Sequence, residues 1–154
     1  MKFTQKETML LKDLKDQEQT CVEKYTKYAS DANDSQLKNL FSQLSQHEQQ
    51  HLSTITQIMS GTVPSMQSGG GQQQMQLTFT PSYDTASSTP QKQKDSFLCS
   101  DLLSTEKFVS AEYNTCIFEF KDTNIRSALN HIQKEEQQHG EQIYKYMEAN
   151  GMYN

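Results

Sequence analysis

Two identical tetrapeptides, Glu48-Gln49-Gln50-His51 and Glu136-Gln137-Gln138-His139, are the residues of this chain best suited to chemistry. On a helix, side chains three positions apart share a face, so each copy aims a carboxylate and an imidazole at one place. The copies stand 88 positions apart (136 − 48). The same offset lays residues 7–60 on 95–148 without a gap. It pairs Leu10 with Leu98, Asp13 with Asp101, Leu14 with Leu102, Glu18 with Glu106, Tyr25 with Tyr113, Asp34 with Asp122, Ile55 with Ile143 and Met59 with Met147. An ungapped period of this length marks a duplicated supersecondary unit.

Helices must hold these groups, and the apolar spacing predicts them. From about Thr4 to Asp31, the residues Leu11, Leu14, Val22, Tyr25 and Ala29 follow a three-and-four pattern. Asn33-Asp34-Ser35 is a turn in which Asp34 or Ser35 can cap the next helix. Leu37, Leu40, Phe41, Leu44, Ile55, Ile58 and Met59 then lead to a stop near Gly61. The second half repeats the plan with Leu98, Leu102, Val109, Tyr113, Ile117 and Phe120, and a turn at Lys121-Asp122-Thr123-Asn124. Ile125, Leu129, Ile132, Ile143, Tyr146 and Met147 follow, with Gly151 after Asn150 as a C-terminal cap.

Residues 61–94 have no helical period. They carry Gly69-Gly70-Gly71, Gln72-Gln73-Gln74, Pro64, Pro81 and Pro90, and only Leu77-Thr78-Phe79-Thr80 suits an extended, strand-like path. Extended, such a linker spans about 110 Å, whereas each helix is about 40 Å long. It can therefore cross the whole bundle and start the second hairpin upside down, so a crossover is expected. The expected fold is all-α: a four-helix bundle made of two repeated helical hairpins, 4–60 and 95–150, joined by the linker 61–94. Residues 1–154 then form a single domain.

Six polar residues interrupt the apolar stripes. Glu18 falls between Leu14 and Cys21, and Glu106 between Leu102 and Val109. Glu48 and His51 break the run from Leu44 to Ile55, and Glu136 and His139 the run from Ile132 to Ile143. Each glutamate is about 22 Å from its own hairpin turn, so all six converge at mid-bundle. Four uncompensated carboxylates there are costly through desolvation and repulsion. Two divalent ions balance them and use both imidazoles, an arrangement known from carboxylate-bridged helical bundles. Glu48 and Glu136 would bridge, with Glu18 and Glu106 terminal. Carboxylate and imidazole donors favour iron or manganese, with zinc also accommodated. A metal-free polar layer sharing protons is the competing reading.

Around this set, Asp13 and Asp101 are expected either to accept the second ring N–H of His51 or His139 or to be solvated. Tyr25 and Tyr113 read as plain core, and Glu112, Glu135 and Glu141 as solvated. His47 and His131 have no counterpart in the repeat and receive no role.

Composition bounds the reading. Of 154 residues only 33% are hydrophobic, and no run approaches the roughly 20 apolar residues of a membrane span. The residues from Met1 to Glu7 lack the apolar stretch of a secretory signal. A net charge of −5 argues against nucleic acid as a partner. Three cysteines without metal-type spacing suit a reducing compartment. Cys21 and Cys116 suit core packing, and any exposed cysteine offers a crosslink.

The run Asp101-Leu102-Leu103-Ser104-Thr105-Glu106-Lys107, then Tyr113, Met147 and the ending Gly151-Met152-Tyr153, resembles the spore coat protein F family of endospore-forming bacteria. The resemblance covers residues 95–153 directly and the first half through the repeat, with Met152 where the family usually has Trp. It implies a ferritin-like helical fold and a place in the proteinaceous spore coat, after synthesis in the mother-cell cytoplasm. Other coat proteins are the partners it implies, with a homodimer open as an alternative. It implies no established enzyme activity. The expected function is a coat component whose di-metal site is structural or redox. The alternative is a di-iron or di-manganese oxidoreductase acting on oxygen, peroxide or ferrous iron.

Overall fold

A computed structural model describes residues 2–65 and 77–153. Four helices make up its regular structure: α1 (Gln5–Asp31), α2 (Ser35–Met59), α3 (Pro90–Glu119) and α4 (Thr123–Ala149). No strand occurs among the described residues. Gly69-Gly70-Gly71 and Gln72-Gln73-Gln74 lie outside them.

Local chemistry explains the helix ends. Thr4 and Glu7 form a reciprocal capping box at the start of α1. Asp34 and Asp122, partners in the repeat, cap α2 and α4. Helix α3 begins at Pro90, five residues before the expected start, with Thr89 accepting from the Lys92 N–H. A capping Thr followed by Pro is a helix-start signature, and the Ser/Thr/Pro-rich surroundings disguised it. Both C-terminal ends close with a left-handed glycine. After α2, Gly61 (φ 89°) is followed by a Thr62 N–H to Gln57 C=O bond. After α4, Gly151 (φ 62°) is followed by Met152 N–H to Met147 C=O.

Helix α1 packs on α2 and α3, and α4 on α3 and α2. Lys6 pairs with Glu119 at one end of α1, and the Asn33 N–H meets Asp95 at the other, so α1 and α3 are antiparallel. The second hairpin is thus inverted relative to the first, as the crossover requires. The returning chain crosses toward the α1–α2 turn. The Leu77 N–H reaches the Gln142 side chain, Phe79 packs edge-on against Tyr146, and the Ser82 and Tyr83 N–H groups donate to Asn150 Oδ1. The buried Lys92 ammonium then gathers the carbonyls of Asp84, Thr85 and Ser87. The stretch 77–80 is held by these contacts without strand pairing.

The core comes in two pieces. One holds Leu11, Leu14, Ile55, Ile58, Val109, Phe120, Ile125 and Leu129, among others. The other holds Leu37, Leu40, Phe41, Leu44, Leu98, Leu102, Ile143 and Tyr146, among others. All three cysteines are buried in these clusters, so Cys21 and Cys116 pack as expected. Cys99 does too, which removes the surface-crosslink expectation. No helix of the described residues is long and apolar enough to cross a membrane.

Candidate metal centre

Between the two apolar clusters lie Glu18, Glu48, His51, Glu106, Glu136 and His139, none more than 2% exposed. Each helix contributes at the position where its apolar stripe is interrupted. One donor atom from each of Glu18, Glu48, His51 and Glu136 falls within a 4.8 Å sphere of mutual distances, and so does one from each of Glu48, Glu106, Glu136 and His139. Glu48 and Glu136 belong to both groups.

The two imidazoles face the carboxylates through Nδ1. Glu48 spans them, with Oε2 at 3.2 Å from His51 Nδ1 and Oε1 at 3.1 Å from His139 Nδ1. Glu136 spans them in the same way, with Oε1 at 3.1 Å from His51 and Oε2 at 3.2 Å from His139. Glu136 Oε2 makes no hydrogen bond. Of the two rings, Glu18 Oε2 approaches that of His51 (3.7 Å) and Glu106 Oε1 that of His139 (3.6 Å). The rings stack with centroids 5.5 Å apart. Two four-donor groups sharing two carboxylates match a bridged pair of cations.

Burial and crowding set the protonation of this cluster. Burial, followed by the charge of Glu136, pushes Glu18 well above the usual carboxylate range. The same two causes push Glu106 up to about 7. Burial and Glu106 also press on Glu48, but His139 and His51 prevail and hold it below the ordinary value. Burial and Glu48 press on Glu136, and the same two histidines hold it down. Burial disfavours both imidazolium ions. Glu136 and Glu135 nevertheless raise His51 well above its usual range, and Glu48 and Glu106 do so for His139. Without cations, burial and crowding thus favour the protonated form of Glu18 and Glu106, while the surrounding carboxylates favour the charged form of both imidazoles.

The donor set fits two divalent ions. Buried oxygens of Glu18, Glu106 and Glu136 lack hydrogen-bond partners, an unusual cost inside a protein. Two such ions also match the charge of four ionised carboxylates.

Several neighbours have roles that spacing did not reveal. The Tyr25 hydroxyl donates to Glu106 and the Tyr113 hydroxyl to Glu18. Each tyrosine therefore serves the glutamate of the opposite repeat, and both are more than plain core. The available signal was the residue type: a buried tyrosine hydroxyl needs a partner. Glu135, expected to be solvated, places Oε2 at 2.7 Å from His51 Nε2 and contacts His131 at 3.3 Å. His47, given no role, places Nδ1 at 3.4 Å from His139 Nε2.

These two contacts occupy the positions expected for Asp13 and Asp101. Asp101 instead takes Lys24 and the Tyr28 hydroxyl, and the charge of Asp13 acts on Glu112 and Cys116. Glu112 is half-buried, while Glu141 pairs with Lys145 in solvent.

Residues 94–154 match the family model of the Coat F domain, so the resemblance to the spore coat protein F family holds across the second hairpin. The match covers Glu106, Glu136 and His139. Glu18, Glu48 and His51 lie outside it and are tied to it by the repeat. No curated protein and no solved structure matches the chain.

Proposed function

We propose that this chain, which carries a Coat F match across its second hairpin, is a component of the spore coat, made in the mother-cell cytoplasm. Its ferritin-like bundle is clamped at mid-height by two divalent ions, iron or manganese, with zinc accommodated. Glu18 and His51 would hold one ion and Glu106 and His139 the other, with Glu48 and Glu136 common to both donor groups. The observation that carries this reading is the pair of buried donor groups with two carboxylates in common. The ions would supply positive charge joining four helices across a buried polar layer, so that binding energy becomes folding energy. Other coat proteins are the proposed partners.

A redox role for the same centre is favoured by one feature. The hydroxyls of Tyr25 and Tyr113 sit on the terminal carboxylates and so place two oxidisable phenols beside the ions. Iron held there would supply electron-transfer chemistry toward oxygen, peroxide or ferrous iron.

Elemental analysis of the purified protein, beside a Glu48→Ala/Glu136→Ala variant, tests the proposal. Two equivalents of metal in the parent, none in the variant, and a lower Tm after chelation are expected. No metal in either protein together with equal Tm values removes both roles. If metal is present, rapid oxidation of added Fe(II) under air selects the redox role. Loss of stability on chelation without turnover selects the structural one.

A further inference from the structure

The repeat is identical at the tetrapeptides but differs at the residue just before them: His47 in the first copy and Glu135 in the second (135 − 47 = 88). Each of these residues backs the histidine of the opposite copy. Glu135 Oε2 lies 2.7 Å from His51 Nε2, while His47 Nδ1 lies 3.4 Å from His139 Nε2. We infer that the two ion sites are unequal by construction, with the Glu18/His51 site tighter and filled first because Glu135 backs its histidine. Glu135 and His47 are then the positioning residues that set the order of filling. This inference rests on the two-ion reading above.

The argument is one of hydrogen-bond chemistry. An imidazole that binds a cation through Nδ1 must carry its proton on Nε2, and that N–H needs an acceptor. A carboxylate accepts strongly, fixes this tautomer and makes Nδ1 a better donor to the metal. Glu135 is itself held, because its other oxygen meets His131 Nε2 at 3.3 Å. For His139 the acceptor is a neutral imidazole nitrogen, longer by 0.7 Å (3.4 − 2.7) and without a full negative charge. The direct donors are otherwise matched: both sites share Glu48 and Glu136, and each adds one glutamate held by a tyrosine hydroxyl of the other repeat. The outer acceptor is therefore where chemically identical donor sets diverge. Partners of this kind are worth about 10-fold to 100-fold in metal affinity.

Titration of the metal-stripped protein with Co(II), followed by its visible absorption and by calorimetry, reads the order directly. The parent is expected to take up two ions in two resolved steps. Glu135→Gln keeps an acceptor but removes the charge, and is expected to weaken the first step about 10-fold. His47→Glu installs the carboxylate of the other copy and is expected to tighten the second step by a similar factor, drawing the steps together. A role confined to packing predicts no such gain. If Glu135→Gln fails to fold by circular dichroism, His47→Glu decides the matter alone.

Two ions bound with a first step indifferent to Glu135→Gln, or a second step not tightened by His47→Glu, overturns this inference and leaves the two-ion centre standing. No uptake by the parent overturns the centre and the inference together.

Discussion

At the scale of single residues, the pairing of each tyrosine with the opposite repeat's glutamate carries a cost that can be measured. Tyr25→Phe strands an oxygen of Glu106, and Tyr113→Phe one of Glu18, both in a layer sealed from water. Each change is expected to destabilise the metal-free protein by about 1–3 kcal/mol, read from the midpoint of urea unfolding.

The titration of the same layer gives a sign. Glu106 keeps its proton to about pH 7 when folded and releases it near its ordinary value of 4.5 when unfolded. Burial also raises the Glu18 carboxyl well above the usual carboxylate range, and His51 and His139 hold protons above their ordinary 6.5. Unfolding thus releases protons, and the metal-free protein should lose stability as pH rises from about 5 to 8. The depressed carboxyls of Glu48 and Glu136 act oppositely, at more acid pH. Cations must displace those same protons, so uptake should strengthen over the window in which the metal-free form weakens. Thermal melts of stripped and loaded protein at several pH values check both directions, and parallel pH curves would contradict them.

At the scale of elements, the bundle end that receives the crossover is the point of tension. Asp95, fully buried on α3, accepts the N–H groups of Asn33 and Asp34 at the start of α2 and the hydroxyl of Tyr83 from the returning chain. It joins α3 to the α1–α2 turn and to the returning chain. Asp95→Ala should cost about 1–3 kcal/mol by stranding the part-buried backbone donors of Asn33 and Asp34, visible as a lower urea midpoint. Gly151 closes α4 in the left-handed region, where an added Cβ would also lie 2.8 Å from the Thr85 carbonyl. Gly151→Ala should therefore cost about 1–3 kcal/mol, and Gly151→Asn should recover little because the steric contact remains. Differential scanning calorimetry of the two variants tests this.

At the scale of the whole molecule, a polar layer lies between two apolar core clusters. Stability gained by ligation there should be felt globally rather than as local ordering. At free ion concentrations about 100-fold above Kd, linkage predicts about 2.7 kcal/mol of added stability for a single site. For a chain of this size that is a rise in Tm on the order of 5–10 °C. A chelator should reverse the rise, and the Glu48→Ala/Glu136→Ala variant should show none.

Periodicity and repetition already specified four helices, their turns, the inverted hairpins and the six interrupting residues, because those features depend on local spacing and on matched distances from two turns. Glu18 and Glu106 were legible for that reason: a charged residue on an apolar stripe has nowhere else to go. The start of α3 at Thr89-Pro90 was hidden only by its linker-like composition. The partners of the six could not be read this way. Which tyrosine reaches which glutamate, and that Glu135 and His47 rather than Asp13 and Asp101 lie behind the histidines, depend on how two helices face each other across the bundle. Rotating a helix by a few tens of degrees exchanges one neighbour for another without altering the period. Only packing selects among such rotations, so the donors belong to the string of residues and their surroundings to the folded protein.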